Sequence, residues 1–331
     1  MKKKGVKILI IVIAVIIAIK MVAVIFDACG FGGNENEINF LVEQGETFKS
    51  IENKLELAGV ISDKLAFKIY YKLCGSPIYK MGNHTFNTSM SYGEVIESLK
   101  NEGNATTITI PEGYDIVQIA ETLEKEGLVD KNKFMQEIQN GSFDYDFIPK
   151  DSGRRNRLEG YLFPDTYSFS NNNGEHIIID AMLKNFKEKV VTLYNEANSD
   201  KSLDEIITLA SIIEKESLND SERAKVASVF VNRLNIGMQL QSDVTVQYAL
   251  NDKKVDLSIA DTKVDSPYNT YMVKGLPIGP IASPGLESIK AALYPESTNY
   301  LYFISSNDGK DMYFFETFEQ HLAKQRELQN K

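Results

Sequence analysis

Tryptophan is absent from the 331-residue chain, and cysteine and histidine are scarce, with two and three copies. Cys29 and Cys74 are too few for a disulfide framework, and neither belongs to a C-x-x-C pair. Cys29 follows an apolar run, but the preceding Phe26-Asp27-Ala28 does not suit a lipoprotein processing site. His84, His176 and His321 are scattered, and no H-E-x-x-H, Walker A or G-x-S-x-G motif occurs. Metal, nucleotide and serine-hydrolase chemistry therefore lack sequence support, and no metal or organic cofactor is implied. An excess of positive charge is also missing. The formal net charge is −10, which argues against a nucleic-acid partner, since such proteins carry a basic face. A neutral sugar polymer stays open, because it is held by hydrogen bonds and ring faces. The 16 Tyr and 17 Phe can supply rings, although most serve the core.

One long apolar run is present. Ile8 to Phe26 is interrupted only by Lys20, close to the roughly 20 residues that span a bilayer core. Lys2, Lys3, Lys4 and Lys7 precede it, and positive residues stay cytoplasmic. The expectation is a cytoplasmic tip and an uncleaved transmembrane helix within residues 1–28, then a linker over 29–38. The rest of a single-pass membrane protein would lie outside the cell membrane. A cleaved signal peptide is the rival reading, without an obvious cleavage site. Both export the globular part.

Two segments then resemble each other at an offset of 68 residues. The first runs from Val42-Glu43-Gln44-Gly45 through Ile51 and Leu55 to Ala58-Gly59-Val60-Ile61. The second runs from Ile110-Pro111-Glu112-Gly113 through Ile119 and Leu123 to Glu126-Gly127-Leu128-Val129. Each predicts a strand, a turn at Gly and an amphipathic helix closed by Gly. Ser62 and Asp130 are the expected caps of a following helix. Ser91 and Glu94 predict a capping box between the copies. The expected architecture is α+β, with a LysM-like duplicated strand–helix–helix module over 39–136. That module either binds glycan or only spaces the part that follows.

Residues 137–331 carry the candidate chemistry. Leu158 to Tyr167 is dense in aromatics, with Tyr161 and Tyr167 as possible stacking faces for sugar. Ser202 to Ser217 predicts a helix opened by a Ser202–Glu205 capping box, with Ile206, Leu209, Ala210 and Ile213 on one face. Glu214 and Glu216 flank that face almost symmetrically. A carboxyl beside an apolar wall keeps its proton and can act as a general acid, and geometry does not choose between the two. Asn219-Asp220 breaks the chain, and Ser221 is expected to cap the next helix. Ser266 to Tyr271 is a polar, aromatic turn, Gly275 to Gly285 a rigid Gly- and Pro-rich loop, and Leu301 to Glu316 a hairpin across Asn307-Asp308-Gly309.

At these residues the chain resembles the endolytic murein transglycosylases, the YceG-like proteins. The matching stretches include Glu159-Gly160-Tyr161-Leu162-Phe163-Pro164-Asp165-Thr166 and Leu209-Ala210-Ser211-Ile212-Ile213-Glu214-Lys215-Glu216-Ser217. They also include Glu222 to Leu234, Gln241-Ser242-Asp243-Val244-Thr245-Val246, Tyr268-Asn269-Thr270-Tyr271 and Gly275 to Gly285. The resemblance implies a lysozyme-like catalytic domain and places the catalytic acid at Glu216. It implies peptidoglycan glycan strands as substrate, cut to leave 1,6-anhydro-muramic ends, with peptidoglycan synthases as possible partners. Ser217 is then expected to touch substrate or position the acid. Tyr161, Asn232, Gln241, Asp243, Thr245, Tyr268 and Asn269 are the expected cleft residues. Two alternatives stay open. A hydrolysing muramidase would need a second carboxylate, for which Asp243 and Glu159 are candidates. A non-catalytic wall-binding scaffold would need none.

Overall fold

The structure is a computed structural model. It describes residues 22, 25, 28–30 and 36–330, apart from 44, 101–104, 150–152, 171–172 and 253–256. The expected anchor over 8–26 therefore lies, except for Val22 and Ile25, outside the described residues. Among the described residues no helix is long and apolar enough to cross a membrane.

The chain divides into two compact units, Met1–Thr107 with Ser168–Asn172, and Ile108–Tyr167 with Asn173–Lys331. In the first unit, β1 (Ile38–Val42) is followed by α1 (Phe48–Leu57), α2 (Lys64–Leu73), β2 (Gly82–Phe86) and α3 (Tyr92–Lys100). β1 and β2 pair antiparallel, with Ile38 opposite Phe86 and Val42 opposite Gly82. Alternation along β1 sends Phe40 and Val42 into the core, where they meet Ile51, Leu55, Phe67 and Phe86. Each such side chain contributes roughly 1.5–3 kcal/mol by leaving water. The Ser91–Glu94 box forms as expected, with the Ser91 N–H donating to Glu94 at 2.7 Å. The cap of α2 is Asp63, not Ser62: the Asp63 carboxylate accepts the Ala66 N–H at 2.9 Å.

β3 (Ala105–Thr109) and β4 (Thr166–Ser170) pair as a two-stranded ribbon, and the division between units falls within both strands. The second copy of the repeat supplies α4 (Ile116–Lys125) and α5 (Lys131–Asn140), with Asp130 capping α5. These helices belong to the second unit, where α5 packs on α6 (Gly174–Phe186). The compact units thus differ from the expected 39–136 and 137–331 segments. The two copies share a local pattern, but each buries its apolar face in a different core.

A π turn (Lys187–Val191) and α7 (Thr192–Ala197) lead to α8 (Leu203–Glu216), α9 (Asp220–Asn235), α10 (Asp243–Leu250) and α11 (Leu286–Leu293). The antiparallel hairpin β5 (Tyr302–Ser305) and β6 (Met312–Phe315) and then α12 (Phe318–Gln329) close the unit. The Ser202–Glu205 box opens α8 as expected. Asn219, not Ser221, occupies the cap position of α9, and the Ser221 hydroxyl instead bonds Asn219 at 2.6 Å. Every residue of α8 from Ile206 to Ile213 is buried, as in a helix packed on all sides, and α9, α10 and α11 lie against it.

Gly160 fixes one approach to this core. Its φ is +86°, and a Cβ there would lie 2.5 Å from Pro280 Cβ and 3.0 Å from Ile207 Cγ2. Left-handed strain and overpacking then act together. Gly160→Ala is expected to destabilise the second unit by about 2–4 kcal/mol, measured by urea unfolding. An effect below about 0.5 kcal/mol would contradict this packing.

Candidate active site

The buried body of α8 delivers its last turn to a polar boundary. Ser217 caps the helix in extended backbone, φ −84° and ψ 135°. Glu214 and Glu216 stand about 200° apart around the axis at 100° per residue, so each meets different neighbours.

Glu214 is held in an ion pair. Its carboxylate lies 3.1 Å from Arg223 Nη1 and accepts the Gly285 N–H at 3.0 Å. Arg223 is itself pinned by Asp220 at 3.0 Å and by the Ser288 hydroxyl at 2.5 Å. Glu214 therefore ties α8 to α9 and to the start of α11.

Glu216 is half-buried, and its Oε1 accepts the Ser242 hydroxyl at 2.6 Å. Burial pushes the Glu216 carboxyl above the usual carboxylate range, and the Asp243 charge pushes the same way. The Ser242 hydrogen bond and Arg233 pull against them. A carboxyl held above the usual carboxylate range, with no salt bridge among the described residues, is suited to proton donation.

The surroundings of Ser242 are rigid. Its N–H donates to Thr270 Oγ1 at 3.0 Å, and its carbonyl accepts the Thr245 hydroxyl at 2.6 Å. Thr245 and Thr270 hydroxyls meet at 2.8 Å. Asp243 opens α10, is exposed, and accepts the Tyr271 hydroxyl at 2.6 Å. Burial and Asp243 both raise Tyr271, so its hydroxyl stays a donor. Arg233, buried under the hairpin, donates to Leu240 and Leu301 carbonyls, each at 2.6 Å, and lies over the Tyr302 ring. A separate cleft of about 240 Å³ is lined by Gly113, Gln118, Lys215, Val244, Gln247 and Asn251 among others, and neither Glu216 nor Ser242 lines it.

The strip Gln241–Thr245 thus crosses Tyr268–Tyr271 at the end of α8. A profile of the YceG-like family matches residues 40–327. The chain belongs to that family. An endolytic murein transglycosylase of Bacillus subtilis is 34% identical over 313 residues, covering 90% of this chain and 87% of that protein. An endolytic murein transglycosylase of Streptococcus pneumoniae is 33% identical over 311 residues, covering 85% of this chain and 56% of that protein. The crystal structure of a yceG-like protein from Listeria monocytogenes matches with a TM-score of 0.61 at 31% identity. It covers 88% of this chain and 100% of that one.

Within this YceG-like chain, the sequence-predicted residues separate into two groups. Glu216, Ser217, Gln241 and Asp243 gather at the end of α8 and the start of α10. Gln241 is exposed, in left-handed backbone at φ +47°. The others do structural work. Tyr161 is fully buried, stacked near Phe147, with its hydroxyl donating to Asp204 at 2.5 Å; it offers no ring face to sugar. Tyr167 donates to the Phe163 carbonyl at 2.6 Å. Tyr268 is buried against Tyr248, and Thr245 is closed inside its hydroxyl pair. Asn269 is buried, its amide donating to the Thr262 and Val264 carbonyls. Asn232 is half-buried, and its amide donates to the Thr298 and Tyr300 carbonyls at 2.9 and 3.0 Å.

Glu159 is also closed off. It is fully buried and accepts from Ile116 N–H, Asn156 and the Tyr248 hydroxyl. Burial pushes it up to about 7 against those hydrogen bonds. Sequence reading overlooked Ser242, Tyr271 and Arg233 as site residues. The signal for Ser242 was its place between two polar residues already singled out. Its partner lies 26 positions away, beyond any local pattern.

The two neighbours of Glu216 make opposite predictions. Ser242→Ala removes a donor that stabilises the carboxylate, so the pKa rises and the alkaline limb of the pH–rate profile moves to higher pH. Asp243→Asn removes a charge that opposes ionisation, so the alkaline limb moves to lower pH. Initial rates of glycan cleavage across the acidic to mildly alkaline range check both; shifts of the same sign would contradict the geometry.

Proposed function

We propose that the chain is an endolytic peptidoglycan lytic transglycosylase with Glu216 as its acid and base. The observation that carries this is a half-buried carboxyl, without a salt bridge among the described residues, held by one serine hydroxyl at the end of a core helix. Glu216 gives its proton to the oxygen joining N-acetylmuramic acid to N-acetylglucosamine. The C1–O bond breaks, and the acetylglucosamine leaves with a free C4 hydroxyl. The Glu216 carboxylate then takes the proton of the muramic C6 hydroxyl, whose oxygen closes on C1. No water is consumed, and Glu216 ends protonated, ready for the next bond.

This route needs one carboxyl, whereas hydrolysis by inversion or retention uses two. Glu159 has no access to sugar or water, which leaves Asp243 as the only one of the two candidate second groups near Glu216. The Asp243 carboxylate already accepts Tyr271, which favours a role in shaping the field around Glu216. The Ser217 hydroxyl is buried and without a hydrogen-bond partner among the described residues, a group free to bond substrate. On this reading the repeated segments within 39–136 are a LysM-like module and 137–331 hold a lysozyme-like catalytic domain. The apolar run at 8–26 anchors both outside the cell membrane, beside the synthases whose nascent strands the enzyme shortens.

Endolytic action is tested on long, uniform glycan strands by following their length distribution. Internal cutting is expected to halve the mean length before disaccharide-sized products accumulate. Early release of such products at nearly constant length would overturn it.

A further inference from the structure

Helix α2 of the first unit is apolar on the wrong side. Its core face carries Phe67 and Tyr71. At 100° per residue, the direction opposite that face is occupied by Ile69, with Leu65 and Leu73 about 40° to either side. These three are 66% (Leu65), 53% (Ile69) and 81% (Leu73) exposed. Leu57, the last residue of α1, and Ile78 and Met81, which follow α2, are also exposed. Lys64, Lys68 and Lys72 form a second row along one edge of this stripe. Lys64 reaches Glu56 at 3.0 Å and Lys68 reaches Glu52 at 4.0 Å, yet both lysine side chains stay about half exposed.

We propose that this face of α2 docks the first unit on a lipid bilayer bearing anionic headgroups. An aliphatic stripe bordered by lysines is the pattern of a helix lying in the membrane interface, with apolar side chains among the acyl chains and ammonium groups at the phosphates. Charge is complementary: residues 52–81, which include the Glu52 and Glu56 partners, hold five lysines and three acidic residues, net +2, within a chain of net −10. The stripe is Leu and Ile, not the aromatic ring faces on which sugars stack, so it suits hydrocarbon better than glycan. Reach also fits. Ile38 follows Phe26 by 12 residues, which span at most about 40 Å. This last point rests on the proposed reading of 8–26 as an anchor.

The absence of Trp from the chain gives a background-free test. The full-length chain carrying Ile69→Trp is placed in vesicles of phosphatidylcholine and phosphatidylglycerol with brominated acyl chains. Thr85→Trp, at an exposed position on β2, is the control. Docking predicts blue-shifted, strongly quenched emission at position 69 and unquenched emission at 85. It also predicts loss of quenching when Leu65→Glu and Leu73→Glu are added. Equal emission at both positions would overturn the proposal. So would a blue shift that grows with protein concentration without vesicles (a second copy covers the face) or one induced by glycan strands alone. Flotation of the same vesicles reports the anchor separately. Protein that floats with unquenched emission from position 69 keeps the anchor and loses the docking, and protein that does not float loses both.

Discussion

Glu216→Gln is expected to lower the rate of glycan cleavage by about 10²–10⁴-fold, the usual contribution of a positioned general acid. Gln keeps the shape and still accepts the Ser242 hydroxyl, so the fold should be unchanged. What it cannot do is give up a proton to the leaving oxygen. The matched control is Glu214→Gln. Geometry places Glu214 against Arg223 and the Gly285 N–H, away from Ser242. Its loss should act on stability first and on rate only through α8. Steady-state rates beside thermal midpoints separate the two. A Glu216→Gln enzyme with nearly the wild-type rate would remove Glu216 from the chemistry.

The second large effect falls on stability. Glu214 and Arg223 side chains are 7% and 11% exposed. Removing one member of a buried pair costs up to about 3–5 kcal/mol, because the other charge keeps only its more exposed partners. Glu214→Ala leaves Arg223 with the Ser288 hydroxyl and two carboxylates that are at least half exposed, Asp220 at 3.0 Å and Glu112 at 4.0 Å, and frees the Gly285 N–H. The unfolding transition of the second unit should then fall by about 10 °C. Differential scanning calorimetry checks this; a shift under about 2 °C would mean the pair is loosely held.

These two glutamates also show where sequence reading stops. They flank one helix symmetrically, and only partners from elsewhere in the chain distinguish them: Arg223 and Gly285 for one, Ser242 for the other. The capping boxes at Ser91 and Ser202 are legible because all their atoms lie within a few residues. Ser62 and Ser221 are not the caps their composition suggests, because a neighbouring Asp63 or Asn219 holds the position. Tyr161, Tyr268, Thr245 and Asn269 lie in motif-rich stretches, and a polar or aromatic residue there looks alike whether it faces a cleft or a core. Asn269 spends its amide on two backbone carbonyls, a duty fixed by loop folding rather than by composition. The repeat is visible in the sequence, but the core each copy joins depends on helices far along the chain.

The most direct test of the central claim runs wild-type enzyme on purified glycan strands in water enriched in heavy oxygen. Ring closure by the muramic C6 oxygen predicts unlabelled 1,6-anhydro ends, one water lighter than reducing ends, formed about 10²–10⁴-fold more slowly by Glu216→Gln. Heavy oxygen in new reducing ends would contradict it, making the enzyme a hydrolase in which Asp243, beside Glu216, becomes the group to explain.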